Sequence, residues 1–203
     1  MSVDRSLPMF PLSVVLLPGG ALPLHIFEER YRRLMHDLLA GESEMLFGIP
    51  PILRGSEVGG GDERAEVATL VVAADPRVTP DGRFALLAVA VGRVEVLEWL
   101  PDAPYPSARV VDMVDTPGSG ADVIVEPIRD RALDLARRSG VDLDGSVTLP
   151  SEPGEALFAL ATIAPIADLD RLALLMTRRV DERAALLLGA LDDLEAVLKF
   201  RES

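Results

Sequence analysis

The spacing of apolar residues along this chain changes from mainly strand-like to wholly helical at Thr116-Pro117-Gly118-Ser119-Gly120. Upstream, residues 45–49, 66–74, 83–99 and 108–113 are rich in Val, Leu and Ala and are separated by turn residues, the pattern of β-strands. Val94 and Val96 alternate with Glu95 and Glu98 there, as in a strand with one buried face. Downstream the apolar residues return every three or four positions. Ile128, Ala132, Leu135 and Ala136 mark one helix, and a second starts at Ser151 and Pro153 and stops before Pro165. Asp168 or Asp170 is expected to cap a third helix, and Asp181 a long last one carrying Ala184, Leu187, Leu188, Leu191, Leu194 and Leu198. The run 116–120 of small and turn-forming residues is the natural boundary between the two parts. The expectation is an α+β chain, with a β-rich subdomain over 1–117 followed by an α-helical bundle over 118–203.

One helix interrupts the β part. Phe27, Tyr31, Leu34, Met35, Leu38 and Leu39 fall at helical spacing, with Glu28, Glu29, Arg32, Arg33 and Asp37 opposite, and the helix ends near Gly41. Before it, Pro8 and Pro11 cannot donate to a ladder, which predicts an edge or bulged strand. Pro18-Gly19-Gly20 and Thr79-Pro80-Asp81-Gly82 are turns, and residues 54–62, with Gly59-Gly60-Gly61, are expected to form a mobile connection.

Composition removes several functions. The formal net charge is −13, the only lysine is Lys199, and acidic residues outnumber basic ones on both sides of Val125. A nucleic acid or an anionic membrane surface requires concentrated Lys and Arg, so neither is an expected partner. There is no cysteine, which excludes disulfides, thiol catalysis and thiolate metal sites, and fits a reducing, cytoplasmic setting. No secretory signal is evident, and the apolar run 84–91 is far too short to span a bilayer.

Catalytic constellations are missing as well. Lys199 lies between Leu198 and Phe200, so it belongs to no phosphate-binding Gly-Lys-Ser or Gly-Lys-Thr, and no Gly-x-Ser-x-Gly occurs. His25 and His36 have no cysteine to share a metal with and read as structural residues, His25 at a strand end. The adjacent acid pairs Glu28-Glu29, Asp181-Glu182 and Asp192-Asp193 do not face one another on a helix and read as solvated surface. Asp142-Leu143-Asp144-Gly145 lacks the closing glutamate of a calcium loop, because Pro153 stands at its twelfth position. Neither metal, cofactor nor catalytic residue is expected.

A family resemblance then enters through the first helix and the strands around it. Phe10-Pro11-Leu12, Leu17-Pro18-Gly19, Leu22-Pro23-Leu24-His25-Ile26-Phe27-Glu28, Arg30-Tyr31 and Leu34 closely resemble the opening signature of the Lon protease N-terminal domain family. Phe47-Gly48, Trp99-Leu100-Pro101 and Pro104-Tyr105-Pro106 are similar to later segments. Ala68, Ala90 and Val94 depart from the family pattern and suggest a divergent branch. The resemblance implies a PUA-like β pseudo-barrel with one inserted helix, followed by a helical bundle, without ATPase or protease. It also implies a non-catalytic module that binds unfolded polypeptide segments or a partner protein, in protein quality control.

Most of the signature is expected to be structural, with Phe10, Leu24, Phe27 and Tyr31 packing helix against sheet. A polypeptide site would instead be an exposed apolar patch or a free strand edge. Leu16, Leu17, Trp99 and Tyr105 are the expected binding residues, because they flank turns where burial is often incomplete. The competing reading is a small-molecule or regulatory-ligand sensor with a pocket between the β part and the helices.

Overall fold

A strand pattern specifies a sheet but not its closure, and in this chain closure depends on residues that lie just outside the first strand. The computed structural model describes residues 4–41, 45–55, 61–116, 121–143 and 147–201. They form two compact units, Met1–Met113 and Val114–Ser203. The expected mobile connection and the Asp142-Gly145 segment fall partly outside the described residues, as does the run from Pro117 to Gly120.

The first unit contains β1 (Arg5–Pro8), β2 (Ala21–Ile26), α1 (Glu29–Ala40), β3 (Leu46–Ile49), β4 (Ile52–Arg54), β5 (Glu63–Arg64), β6 (Val67–Val78), β7 (Phe84–Trp99) and β8 (Ser107–Asp112). Six strands form one sheet in the order β1-β8-β7-β6-β3, with β2 also paired to β7, and all pairs are antiparallel. The 16-residue β7 is the spine: β2 lies along its first half and β8 along its second, while β6 follows its other edge. Bulges at Leu70/Val71, Ala74/Arg77 and Val96/Glu98 bend these long strands.

The ends of the sheet then meet. Met9 bridges Gly48 in parallel, and the Phe10 N–H donates to the Gly48 carbonyl at 2.8 Å. This contact rolls the sheet into a pseudo-barrel. Glycine suits this close approach: a Cβ on Gly48 would lie 2.4 Å from the Met9 sulfur, and Met9 is fully buried, so its side chain would have to shift.

Inside, Tyr31, Leu34 and Met35 of α1 pack on Phe10, Phe47, Phe84, Leu86 and Val71. The Phe10 and Tyr31 rings stand 4.2 Å apart. A second cluster gathers Leu7, Met9, Ala68, Val94, Val96, Ala108 and Val110. One expectation fails here. Phe27 is not on the buried face of the helix, which starts two residues later, and it is 57% exposed. It continues the alternation of β2, whose odd-numbered residues point outward.

The second unit is helical: α2 (Ala121–Arg138), α3 (Pro153–Ile163), α4 (Asp168–Met176) and α5 (Val180–Arg201). α2 packs on α3 and α5, and α4 on α5. The N-cap positions of α3 and α4 belong to Glu152 and Ala167, neither making a side-chain capping bond, so Ser151 and Asp168 do not cap as the spacing suggests. Asp168, Asp170 and Asp181 occupy first turns instead, where the helix dipole favours an acid.

One buried ion pair ties this unit together. Arg183 on α5 is fully buried, and its two Nη atoms donate to the Asp115 carboxylate. They also donate to the Gly154 carbonyl at 3.1 Å and the Thr177 carbonyl at 2.8 Å, while the guanidinium lies 3.9 Å from the Phe158 ring centroid.

Candidate functional site

The run Phe84-Ala85-Leu86-Leu87-Ala88-Val89-Ala90-Val91 has no charged residue, so both faces of that part of β7 are apolar. A strand with two apolar faces usually has a layer on each. Here only one face is fully covered. Phe84, Leu86, Ala88 and Ala90 are buried in the barrel core, whereas Leu87 is 40% and Val91 54% exposed.

Register shows what surrounds Leu87, because residues paired across antiparallel strands point to the same face. On β2, Ala21 pairs with Val89, Pro23 with Leu87 and His25 with Ala85. On β6, Val72 pairs with Val89 and Ala74 with Leu87. Ala21, Pro23, His25 and Leu87 are exposed, and Val72, Ala74, Ala85 and Val89 half-buried. The exposed Phe27 continues the β2 row. The result is an apolar surface about 13 Å along β2 and about 10 Å across three strands. Among the described residues it carries no Asp, Glu, Lys or Arg until Arg77, which sits opposite Ala85 at the hairpin end and pairs with Asp75. An uncharged outer sheet face is unusual on a chain with net charge −13.

The residues expected from sequence do not form a common surface. Leu17 is 1% exposed and belongs to the core, so its side chain is not available to a ligand; the Pro18–Gly20 turn that follows leaves it enclosed. Leu16 is half-buried against the barrel core, and its carbonyl accepts a hydrogen bond from the Thr69 hydroxyl at 2.6 Å. Tyr105 packs on the same cluster and donates its hydroxyl to Asp37 at 3.1 Å. Burial, followed by that carboxylate, raises the Tyr105 pKa. Trp99 packs on the other cluster, with the Arg64 guanidinium 4.9 Å from its ring centroid. Arg64 in turn bonds Asp62 and Asp102. Burial pushes the Asp62 carboxyl upward, but its bonds to Arg64 outweigh this and hold it below the usual carboxylate range.

His25 lies on the outer face of β2, in its next-to-last position. His36 sits in the second half of α1, its ring edge-on to Phe84 at 5.1 Å. Among the described residues, no group of three His, Asp or Glu side chains could hold a metal ion, and no helix is long and apolar enough to cross a membrane.

Comparison with known proteins gives one consistent answer. The family described as the ATP-dependent protease La (LON) substrate-binding domain matches residues 6–193. A Lon protease of Flavobacterium johnsoniae is 24% identical over 163 residues, covering 78% of this chain and 19% of that protein. Lon protease 2 of Myxococcus xanthus is 28% identical over 211 residues, covering 97% and 24%. The chain thus spans less than a quarter of the length of these relatives. Among solved structures, a Lon N-terminal domain protein from Xanthomonas campestris is 27% identical with a TM-score of 0.62, covering 91% of this chain and 98% of that one. The N-terminal domain of Mycobacterium avium complex Lon protease, at 17% identity, has a TM-score of 0.68 with 93% and 99% coverage, a likeness of fold alone.

Proposed function

The chain belongs to the Lon substrate-binding domain family, and from that premise we propose that it is a polypeptide-recognition module that holds apolar segments of unfolded protein on the outer face of β2, β7 and β6. The observation that carries this reading is the uncharged surface centred on Leu87 and bounded by Pro23, Val89 and Ala74. An unfolded chain offers apolar side chains that a folded one hides. An apolar surface gains free energy from covering them, about 25 cal/mol per Å² of apolar area removed from water. The module binds and does no chemistry of its own: the only two histidines stand on separate elements, and the acids around Arg64 and Arg183 are engaged in ion pairs. Protein quality control in a cytoplasmic setting is the role that fits a cysteine-free, acidic chain of this family.

The test is fluorescence anisotropy of a labelled, permanently unfolded polypeptide titrated with the protein at physiological salt. Saturable binding in the micromolar range, displaced by unlabelled polypeptide, is the expected result. A flat titration up to the highest soluble protein concentration would refute the reading.

A further inference from the structure

We propose that this surface reads the side chains of its substrate and not the backbone, so that its partners are extended, uncharged apolar segments whether or not their amides can donate hydrogen bonds. The inference rests on the polypeptide-binding reading above and specifies how that site works.

A β-sheet can capture a peptide in two ways: along an open edge, by main-chain hydrogen bonds, or across a face, by apolar contact. Away from the β1–β3 closure, the outer side of β2 and the end of β6 beyond Ala73 show no pairing among the described residues, and each contains a proline, Pro23 and Pro76. The β6 overhang is further distorted by a bulge, with Asp75 in the left-handed region at φ 48°. Proline and bulges are what proteins use to prevent strand addition.

The geometry of β2 makes this concrete. The Ala90 N–H donates to the Gly20 carbonyl at 2.9 Å. Since the antiparallel pattern repeats every second residue, the backbone groups of Leu22, Leu24 and Ile26 point to β7. Those of Ala21, Pro23 and His25 therefore point to the open side. Pro23 has no N–H, so the two remaining donors, on Ala21 and His25, are about 13 Å apart, whereas an added strand meets one about every 7 Å. Edge addition is interrupted at its centre. The face beside it is continuous, and the same Pro23 adds its ring to that face. Charge agrees: an uncharged patch on an acidic chain selects segments free of acids, which it would otherwise strip of water, and places no requirement on their amides.

The test compares three versions of one labelled decapeptide rich in Leu and Val: unmodified, methylated on every backbone nitrogen, and with two apolar residues changed to Asp. Full methylation is needed because alternate N–H groups of an extended chain face opposite edges; it removes every main-chain donor and leaves the side chains intact. Binding of the methylated peptide within about twofold of the parent, with the Asp peptide weakened about tenfold or more, is the expected pattern. One variant reads the protein side: Leu87→Ser weakens the parent and methylated peptides alike. Loss of the methylated peptide by tenfold or more, with the parent still bound, overturns side-chain reading and leaves polypeptide binding standing. Failure of the parent peptide to bind overturns both. The peptide arms need no protein variant, so the outcome is decided even if Leu87→Ser does not fold.

Discussion

Replacing Arg183 by methionine should destabilise the helical unit by about 3 kcal/mol, near the low end of the cost of breaking a buried ion pair. The guanidinium is fully buried and makes bonds to the Asp115 carboxylate, to the Gly154 carbonyl and to the Thr177 carbonyl. Methionine fills much of the same volume and restores none of them. The Asp115 side chain is 31% exposed, so its abandoned charge keeps part of its hydration, which is why the estimate sits at the low end. Urea unfolding followed by far-ultraviolet circular dichroism reads the effect, because the helices of Val114–Ser203 dominate that signal. A loss of about 3 kcal/mol is a large part of the 5–15 kcal/mol typical of a domain. Adding Asp115→Leu to Arg183→Met should recover most of it, since the charge left without a partner is then gone. A single-variant loss below about 1 kcal/mol, or a double variant no more stable than the single, would refute the assignment of this pair as the tie between Asp115, α3 and α5.

Other expectations follow from the same geometry. Gly48→Ala forces a methyl group against the buried Met9 sulfur where the barrel closes and should cost about 1–3 kcal/mol in thermal or urea unfolding; an unchanged midpoint would contradict the closure. Burial pushes the Tyr31 hydroxyl to about 12 against an ordinary 10.0, with the Arg30 charge opposing it. The neutral phenol is favoured in the folded state, so its contribution to stability is complete below pH 10 and is lost as pH rises through about 12. Tyr31→Phe should flatten the decline of the urea midpoint in that window, and an unchanged slope would count against it. Phe27→Ser should leave the unfolding midpoint within about 0.5 kcal/mol, as surface changes do, yet weaken unfolded-polypeptide binding severalfold in the anisotropy assay.

Local signals were sufficient for most of the elements. Residues 45–49, 66–74, 83–99 and 108–113 alternate or are bounded by turn formers, and they became β3, β6, β7 and β8 within a few residues. Closure of the barrel left no local trace, because it depends on Met9 meeting Gly48 across the sheet. Nor did the Arg183–Asp115 pair, whose members are 68 residues apart in sequence. Phe27 was misplaced because its spacing to Tyr31 suits a helix equally well as it suits the outward row of β2. Leu17 looked accessible beside a Pro-Gly turn, but burial at a turn depends on what packs over it.

The outer sheet face was partly legible. An uninterrupted apolar run over 84–91 implies two apolar strand faces, yet by itself it suggests only a short buried stretch. The pairing that brings Ala21 and Pro23 beside Val89 and Leu87 is what turns the run into a surface.

The most direct test of the central claim is methyl nuclear magnetic resonance of the protein, labelled at Leu, Val and Ala, as an unfolded polypeptide is added. The account predicts that the largest shifts fall on Leu87, Val89, Val72, Ala74 and Ala21, with the exposed Leu169 and Val197 of the helical unit unmoved. Shifts concentrated at Leu169 and Val197, with Leu87 silent at saturation, would contradict it.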